Sequence, residues 1–271
     1  MSEPIRLTLA YPNEKQQHFL ECTAKYIAFG GARGGGKSWA VRTKAILLAL
    51  GYAGIRLLIV RHTYQELESN HIRILRPQLA QVAEYKATTR TFTFLNGSTL
   101  EFGYCASDGD MDRYQGAEYD VIFLDECTQL REQWMRQFAA CLRGVNDFPR
   151  RIYYTCNPGG PGHSYIKRLF IDRRFEPGEN PDDYVFIPAR VTDNKALLAA
   201  QPDYLKQLEA LPRRLRQAWL EGRWDIFQGQ VFSEFTDDPT HYADRRFTHV
   251  IPAFDIPREW RVYRSYDFGY A

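Results

Sequence analysis

Tyr26-Ile27-Ala28-Phe29-Gly30-Gly31-Ala32-Arg33-Gly34-Gly35-Gly36-Lys37-Ser38 is the stretch on which the fold turns. Its first four residues are aromatic, β-branched or small and apolar, the pattern of a short buried strand that glycine then breaks. Gly31 to Ser38 satisfies G-x-x-x-x-G-K-[ST] in full. From Trp39 to Leu50 the chain is rich in good helix formers, and Gly51 supplies a stop. Strand, glycine loop and helix in that order separate a phosphate-binding loop from a chance match. The chemistry asks for these residue types. Backbone N–H groups must approach phosphate oxygens closely, a helix N-terminus adds partial positive charge, and a lysine adds a whole one. Lys37 is therefore read as the ligand of the β/γ-phosphates and the Ser38 hydroxyl as a ligand of Mg²⁺. Arg33 is open between a phosphate contact and a solvated loop arginine.

A second buried-strand pattern, Tyr119-Asp120-Val121-Ile122-Phe123-Leu124-Asp125-Glu126, ends in two carboxylates. Ligands of open α/β sheets lie beyond the carboxyl ends of the strands, so this pair is expected to face the glycine loop. Asp125 is expected to hold Mg²⁺, directly or through water, and Glu126 to orient or deprotonate the attacking water. An acidic helix start is the plainer alternative. A third strand pattern, Arg151–Thr155, runs into Cys156-Asn157-Pro158-Gly159-Gly160. Asn157 there is either a sensor of the γ-phosphate or turn chemistry alone.

Between these motifs Ile55–Arg61 reads as a strand, and Tyr64–Val82 as a helix interrupted at Pro77. Thr91–Phe102 alternates apolar residues on both sides of Asn96-Gly97, the signature of a hairpin whose tight turn takes positive φ angles from those two residues. The sheet is thus expected to be mixed, parallel at its centre with antiparallel additions at an edge. Leu130–Arg143 reads as an amphipathic helix with Trp134 and Phe138 in the core. Beyond Pro177 the chain is richer in proline. Lys195–Gly222 reads as helical and basic at Arg213, Arg214 and Arg216, a solvated face in preference to a contact with DNA or a neighbouring subunit.

Composition sets the outer limits. With 271 residues the chain can form one large core or two modest ones. No apolar run approaches the roughly 18 residues of a membrane helix, and no secretory pattern opens the chain. Five scattered cysteines without a C-x-x-C pair argue against a disulfide framework or a zinc site, and fit a reducing cytoplasm. A formal charge of +2 does not advertise nucleic acid, so any DNA contact must come from local patches or a multimeric ring.

Taken together, Lys15-Gln16-Gln17-His18-Phe19-Leu20, the loop Gly30–Ser38, Arg113-Tyr114-Gln115-Gly116 through Glu126, and Thr155-Cys156-Asn157-Pro158 resemble the ATPase domain of the large terminase subunit of tailed bacteriophages. Glu221-Gly222-Arg223-Trp224-Asp225 and Gly229-Gln230-Val231-Phe232 extend the likeness. The resemblance implies an α/β P-loop NTPase of the ASCE/RecA-like kind, with a mainly parallel sheet, antiparallel edge additions and a small helical lid. It implies an ATPase core over 1–176, a lid and domain end over 177–232, and over 233–271 a linker and the first strand of an RNase-H-like nuclease domain. Tyr266-Asp267-Phe268-Gly269 resembles that nuclease's first metal-binding motif. Its other carboxylates would lie downstream, so DNA cleavage is not expected.

Carried over by position, the resemblance gives ATP and Mg²⁺ as ligands. The nucleotide would be contacted by Gln16 at adenine, with Gln17 the adjacent alternative, and by Gly31, Ala32, Arg33, Gly34, Gly35, Gly36, Lys37, Ser38 and Trp39. Ser38 and Asp125 would hold the metal. Glu126, Lys37, Arg33 and Asn157 would serve catalysis, joined by Arg113 as an arginine supplied to a neighbour's ATP, with Arg143 the other candidate. Thr155–Pro158 resembles the motif that couples hydrolysis to movement. Implied partners are double-stranded DNA, the portal protein, the small terminase subunit and further copies in a ring, with the isolated chain possible as a monomer. No membrane is involved, and the setting is the host cytoplasm. The rival readings are a helicase-like translocase and a nucleotide-switched assembly protein.

Overall fold

In the computed structural model, residues 7–225, 241–244, 248–261 and 263 are described. An eight-stranded sheet carries the fold, in the order β3-β4-β5-β2-β6-β7-β1-β8. Its strands are β1 (Tyr26–Gly31), β2 (Arg56–Arg61), β3 (Ala83–Lys86), β4 (Thr91–Phe94), β5 (Thr99–Tyr104), β6 (Val121–Leu124), β7 (Arg151–Cys156) and β8 (Tyr184–Ala189). From β5 to β8 every pairing is parallel, while β3 and β4 add an antiparallel edge. The expected mixed sheet is therefore present. Its eighth strand comes from the 177–232 stretch, so the expected lid region begins inside the sheet.

The helices are α1 (Glu14–Glu21), α2 (Lys37–Gly51), α3 (Tyr64–Leu67), α4 (Arg73–Leu79), α5 (Asp108–Met111), α6 (Glu132–Ala140), α7 (His163–Ile166), α8 (Lys195–Ala200), α9 (Tyr204–Glu209) and α10 (Arg213–Trp219). Strand residues alternate between two cores, as a period of two requires. Ile27, Phe29, Leu57, Ile59, Val121, Phe123 and Tyr153 face the core beneath α1, α2 and α4. Ala28, Leu58, Val60, Ile122, Leu124, Ile152 and Tyr154 face the other, with Trp134, Met135 and Phe138 of α6. Trp134 and Phe138 are buried, as their spacing predicts. Burying a large apolar side chain stabilises by about 1.5–3 kcal/mol, so central strands covered on both faces make a rigid platform.

Local details differ from the sequence expectation for physical reasons. Gly97 takes the left-handed conformation (φ 83°), but Asn96 does not. The loop is Leu95-Asn96-Gly97, closed by Gly97 N to Phe94 O and Phe94 N to Ser98 O, a three-residue turn with glycine at its left-handed position. The Asn96 side chain instead donates to Ala49 O at 2.8 Å, tying the hairpin to the end of α2. Pro77 lies within α4 and does not end it at that point. Proline forfeits one intrahelical bond, and buried Leu75 and Leu79 hold the turn against the core. Ahead of α4, Glu68–Ile72 is wound as a π-helical turn. The 195–222 region is not one helix but the short α8, α9 and α10. Arg213 is exposed, and Arg214 and Arg216 are half-buried.

Met1–Gln228 forms one compact unit and Gly229–Ala271 another. In the second, Trp260 N donates to Pro257 O and the Phe254 and Trp260 rings meet edge to face. Gly229–Phe232 and Tyr266–Gly269 lie outside the described residues.

Candidate nucleotide site

The carboxyl ends of β1, β6 and β7 are neighbours in the sheet, and the site is built where they stop. From β1 the chain passes through Ala32–Gly35 and enters α2 with Gly36 as its left-handed N-cap (φ 75°). Glycine is required there. The conformation disfavours any other residue, and a Cβ would run into the Gln16 amide. Lys37 and Ser38 open α2, at the positive end of its dipole. Lys37 Nζ donates to Ala32 O (2.6 Å) and to Asn157 Oδ1 (2.8 Å). Burial pushes its pKa down, against the pull of Cys156, Glu126 and Asp125. The glycine loop and the end of β7 thus meet on one ammonium.

Asp125, fully buried, is the centre of the floor. Its Oδ2 accepts from Arg61 Nε (2.7 Å) and from His71 Nε2 (2.8 Å), with Ser38 Oγ at 3.4 Å. Its Oδ1 accepts from the Thr155 hydroxyl. Burial alone would raise the Asp125 pKa, but the Arg61 charge and the bonds from His71 and Thr155 hold it well below the usual carboxylate range. An ionised acceptor fixes the direction of the histidine bond: Nε2–H donates. His71 is itself kept from charging by burial, against the pull of Asp125.

Glu126 stands at φ 53°, ψ 45°, a left-handed conformation costly for a residue with a side chain. Its N–H donates to Thr155 Oγ1 at 2.8 Å, so one hydroxyl serves both acidic residues. The side chain is 40% exposed, and its Oε1 pairs with Arg61 Nη2 at 3.2 Å, so one guanidinium bridges the two carboxylates. The pair consists of one buried and one accessible carboxylate. The following 3-10 turn, Cys127–Gln129, places Thr128 so that its hydroxyl donates to Asn157 O. Asn157 is therefore more than a turn residue: its backbone is tied to one side of the site and its amide to Lys37.

Of the remaining expected residues, Gln16 and Arg33 stand at the loop and the others do not contact it. Gln16 closes the capping box of α1, accepts from Asn13 N, and donates from Nε2 to Gly36 O at 3.1 Å. It borders a cavity of about 450 Å³ that Tyr11, Asn13, Asn194 and Lys195 also line. Gln17 points elsewhere, to Glu21. Arg33 lies 3.4 Å above the Trp219 ring, while its N–H donates to Trp219 O. Trp39 packs on the apolar core. Arg113 is held by Asp110 and stacked on Tyr104, and Arg143 sits 3.7 Å from Glu118. Both arginine side chains are exposed, on the 104–143 side of the molecule.

Sequence reading missed Arg61, His71, Asn194 and Trp219 as parts of the site. Asn194 Nδ2 donates to Gly34 O at 2.8 Å, and Ala189 O accepts from Ala32 N. Arg61 could have been found from strand order, because the end of β2 must lie beside the end of β6. No local pattern singles out the other three.

Residues 28–236, more than half of the chain, match the family described as terminase large subunit, T4likevirus-type, N-terminal. Similar solved structures include the large terminase of a thermophilic bacteriophage in complex with ADP (18% identity, TM-score 0.65, covering 82% of this chain and 57% of that one). The same protein in complex with ATP-γ-S is similar at 20% identity and TM-score 0.61, covering 78% and 52%. The large terminase ATPase domain of Thermus phage P74-26 follows at 17% identity and TM-score 0.56, covering 79% and 94%. This chain spans little more than half the length of the first two. At these identities the likeness is one of fold. No curated protein matches the sequence.

Proposed function

The chain belongs to the terminase large subunit family, and from that premise we propose that it is the ATP-hydrolysing motor domain of a viral DNA-packaging machine, moving double-stranded DNA into a procapsid. The observation that carries this reading is the convergence of Lys37, Ser38, Asp125, Glu126 and Asn157 at the strand ends. The similar fold seen with ADP and ATP-γ-S in the phage terminase supports ATP as the nucleotide.

The chemistry follows from the geometry. Backbone N–H groups of Gly34–Ser38 and the start of α2 cradle the phosphates, and the Lys37 ammonium offsets their charge. Among the described residues no cluster of His, Cys, Asp and Glu could hold a metal on its own. The donor set present, one hydroxyl and one carboxylate 3.4 Å apart, instead suits Mg²⁺ that takes its other ligands from phosphate and water. Ser38 would hold the ion, and Asp125, whose oxygens already accept from Arg61, His71 and Thr155, would reach it through water. When bound, Mg²⁺ neutralises charge on the β- and γ-phosphate oxygens. Glu126, accessible on its left-handed turn, orients the attacking water and accepts its proton. Asn157, bonded to Lys37, is placed to respond when that ammonium engages the γ-phosphate. Catalysis is then positioning and charge stabilisation.

Arg113 is proposed as the arginine supplied to a neighbouring copy, and the portal protein, the small terminase subunit and a ring of copies as its partners in the host cytoplasm. Hydrolysis stimulated by portal-bearing procapsids is the outcome expected on the packaging reading. Stimulation by free single-stranded DNA alone would favour a helicase-like translocase. For the site, Glu126→Gln is expected to bind ATP yet hydrolyse it at least about 100-fold more slowly. Lys37→Ala is expected to lose binding. An unchanged rate in Glu126→Gln, in single-turnover measurements, would remove Glu126 from its role.

A further inference from the structure

His71 is 0% exposed and lies in neither the glycine loop nor the acidic strand end. It reaches Asp125 because Glu68–Ile72 is wound as a π-helical turn between α3 and α4. Such wide turns occur mostly as single insertions and often at functional sites. Two contacts anchor the turn. Thr63 and Glu66 form a capping box ahead of it, and the Arg42 guanidinium donates to Asn70 O within it. The imidazole then meets Asp125 Oδ2 at 2.8 Å through Nε2.

The other ring nitrogen is informative. Nδ1 is buried without a hydrogen-bond partner. A buried N–H left unpaired is costlier than an unused acceptor lone pair, because backbone and side-chain donors in native interiors are almost all satisfied. The ring is therefore neutral, with its hydrogen on Nε2 and directed at Asp125. Arg61 and Arg42 beside it already supply positive charge, so a further cation is not what the site lacks. What His71 adds is a fixed direction. The guanidinium and the imidazole, both on Oδ2, and the Thr155 hydroxyl on Oδ1 leave the carboxylate no freedom to rotate.

We propose that His71 is a positioning residue for Asp125, its neutral Nε2–H holding the carboxylate in the orientation that meets the hydrated Mg²⁺ of Mg·ATP beside Ser38. This rests on the nucleotide reading of the site. Partners behind a metal-associated group typically matter by about 10–100-fold in metal affinity or activity. His71 belongs in that range, and its effect is on magnesium rather than on nucleotide itself.

The test measures binding of a fluorescent ATP analogue as Mg²⁺ is titrated, for wild type, His71→Leu and His71→Gln. His71→Leu is expected to raise the Mg²⁺ concentration at half-saturation at least about tenfold, with binding in EDTA within about twofold of wild type. His71→Gln, whose amide can restore a donor near Nε2, is expected to recover most of that loss. An unchanged Mg²⁺ midpoint in His71→Leu, or equal defects in both variants with and without Mg²⁺, overturns the proposal. The wild-type protein gives an independent reading through the ¹⁵N resonances of His71. A protonated Nε2 and unprotonated Nδ1 are expected, and the opposite tautomer overturns the proposal even if His71→Leu does not fold. Wild type binding the analogue no better than Lys37→Ala would remove the nucleotide reading itself and this inference with it, a result distinct from a failure confined to Mg²⁺.

Discussion

On its floor the glycine loop rests over Asp125, Arg61, His71 and Thr155, none more than 4% exposed, whereas on its rim it is held by Asn194 and Trp219, both half-buried. Floor bonds join side chain to side chain around an ionised carboxylate in a desolvated setting. Rim bonds run mostly to loop backbone: Asn194 to Gly34 O, Gln16 to Gly36 O, and Trp219 O from Arg33 N. Burial makes each floor partner expensive to remove, because the remaining charge cannot find water. A rim partner can be replaced by water at little cost. The floor is thus built to stay put and the rim to be separable, a division suited to the proposed admission and release of a nucleotide.

The largest effect that would sharpen this contrast is expected from Asp125→Asn. The amide keeps the shape but puts a donor where the Thr155 hydroxyl now donates or where Arg61 and His71 do, and it leaves the buried guanidinium with only the half-exposed Glu126 as counter-charge. A loss of about 3–5 kcal/mol in denaturant unfolding is expected near neutral pH. The pH dependence has a definite sign. The folded pKa of Asp125 is depressed, so its contribution is fully present above the usual carboxylate value of about 3.9 and is lost as pH falls toward the folded value. Wild type should lose stability more steeply than Asp125→Asn below about pH 4. Parallel acid limbs would show that the floor charge is not what makes it rigid.

Gly36→Ala lies where floor and rim meet and should have an intermediate effect. Its positive φ strains any other residue, and a methyl group would displace the Gln16 amide from its bond to Gly36 O. A stability loss of about 1–2 kcal/mol is expected, with a disproportionate drop in nucleotide affinity because the first turn of α2 must shift. Isothermal titration with ATP alongside thermal unfolding separates the two. Unaltered affinity would mean that the loop tolerates displacement and that the rim, not the floor, governs its position.

What could be read from sequence follows the same division, for a physical reason. β1, the glycine loop and α2 are contiguous, so local rules suffice to place Lys37 and Ser38. The Asp125-Glu126 pair could be picked out as an apolar run ending in acids beside a glycine loop, with an acidic helix start as its other reading. Arg61 is visible only through strand order, a property of the whole sheet. His71 depends on one extra residue of helical winding, which no periodicity announces. The division of 195–222 into three short helices escaped because Pro202 and Pro212 interrupt a composition that otherwise favours helix. Asn96-Gly97 was correctly a hairpin, but the turn type hinged on one dihedral that the pair leaves open.

Trp219→Ala tests the rim where it is most specific. The indole ring lies 3.4 Å beneath the Arg33 guanidinium, in a loop where arginine had two plain readings, phosphate contact or solvated residue. The stack supplies a third: Arg33 is held by α10. A partly exposed cation–π contact is worth about 0.5–1 kcal/mol, and truncating a half-buried ring adds a little apolar loss. The backbone bond from Arg33 N to Trp219 O survives the substitution, since it uses no side-chain atom. Stability should therefore fall by no more than about 1 kcal/mol. ATP affinity should change in a direction that decides the role of Arg33. If the guanidinium, once freed, reaches the phosphates, affinity rises and Trp219→Ala/Arg33→Ala reverses the gain. If Arg33 serves only to pin α10, affinity falls slightly and the double variant matches the single. A loss as large as that of Asp125→Asn would break the contrast, because it would make the rim as rigid a support of the loop as the buried floor.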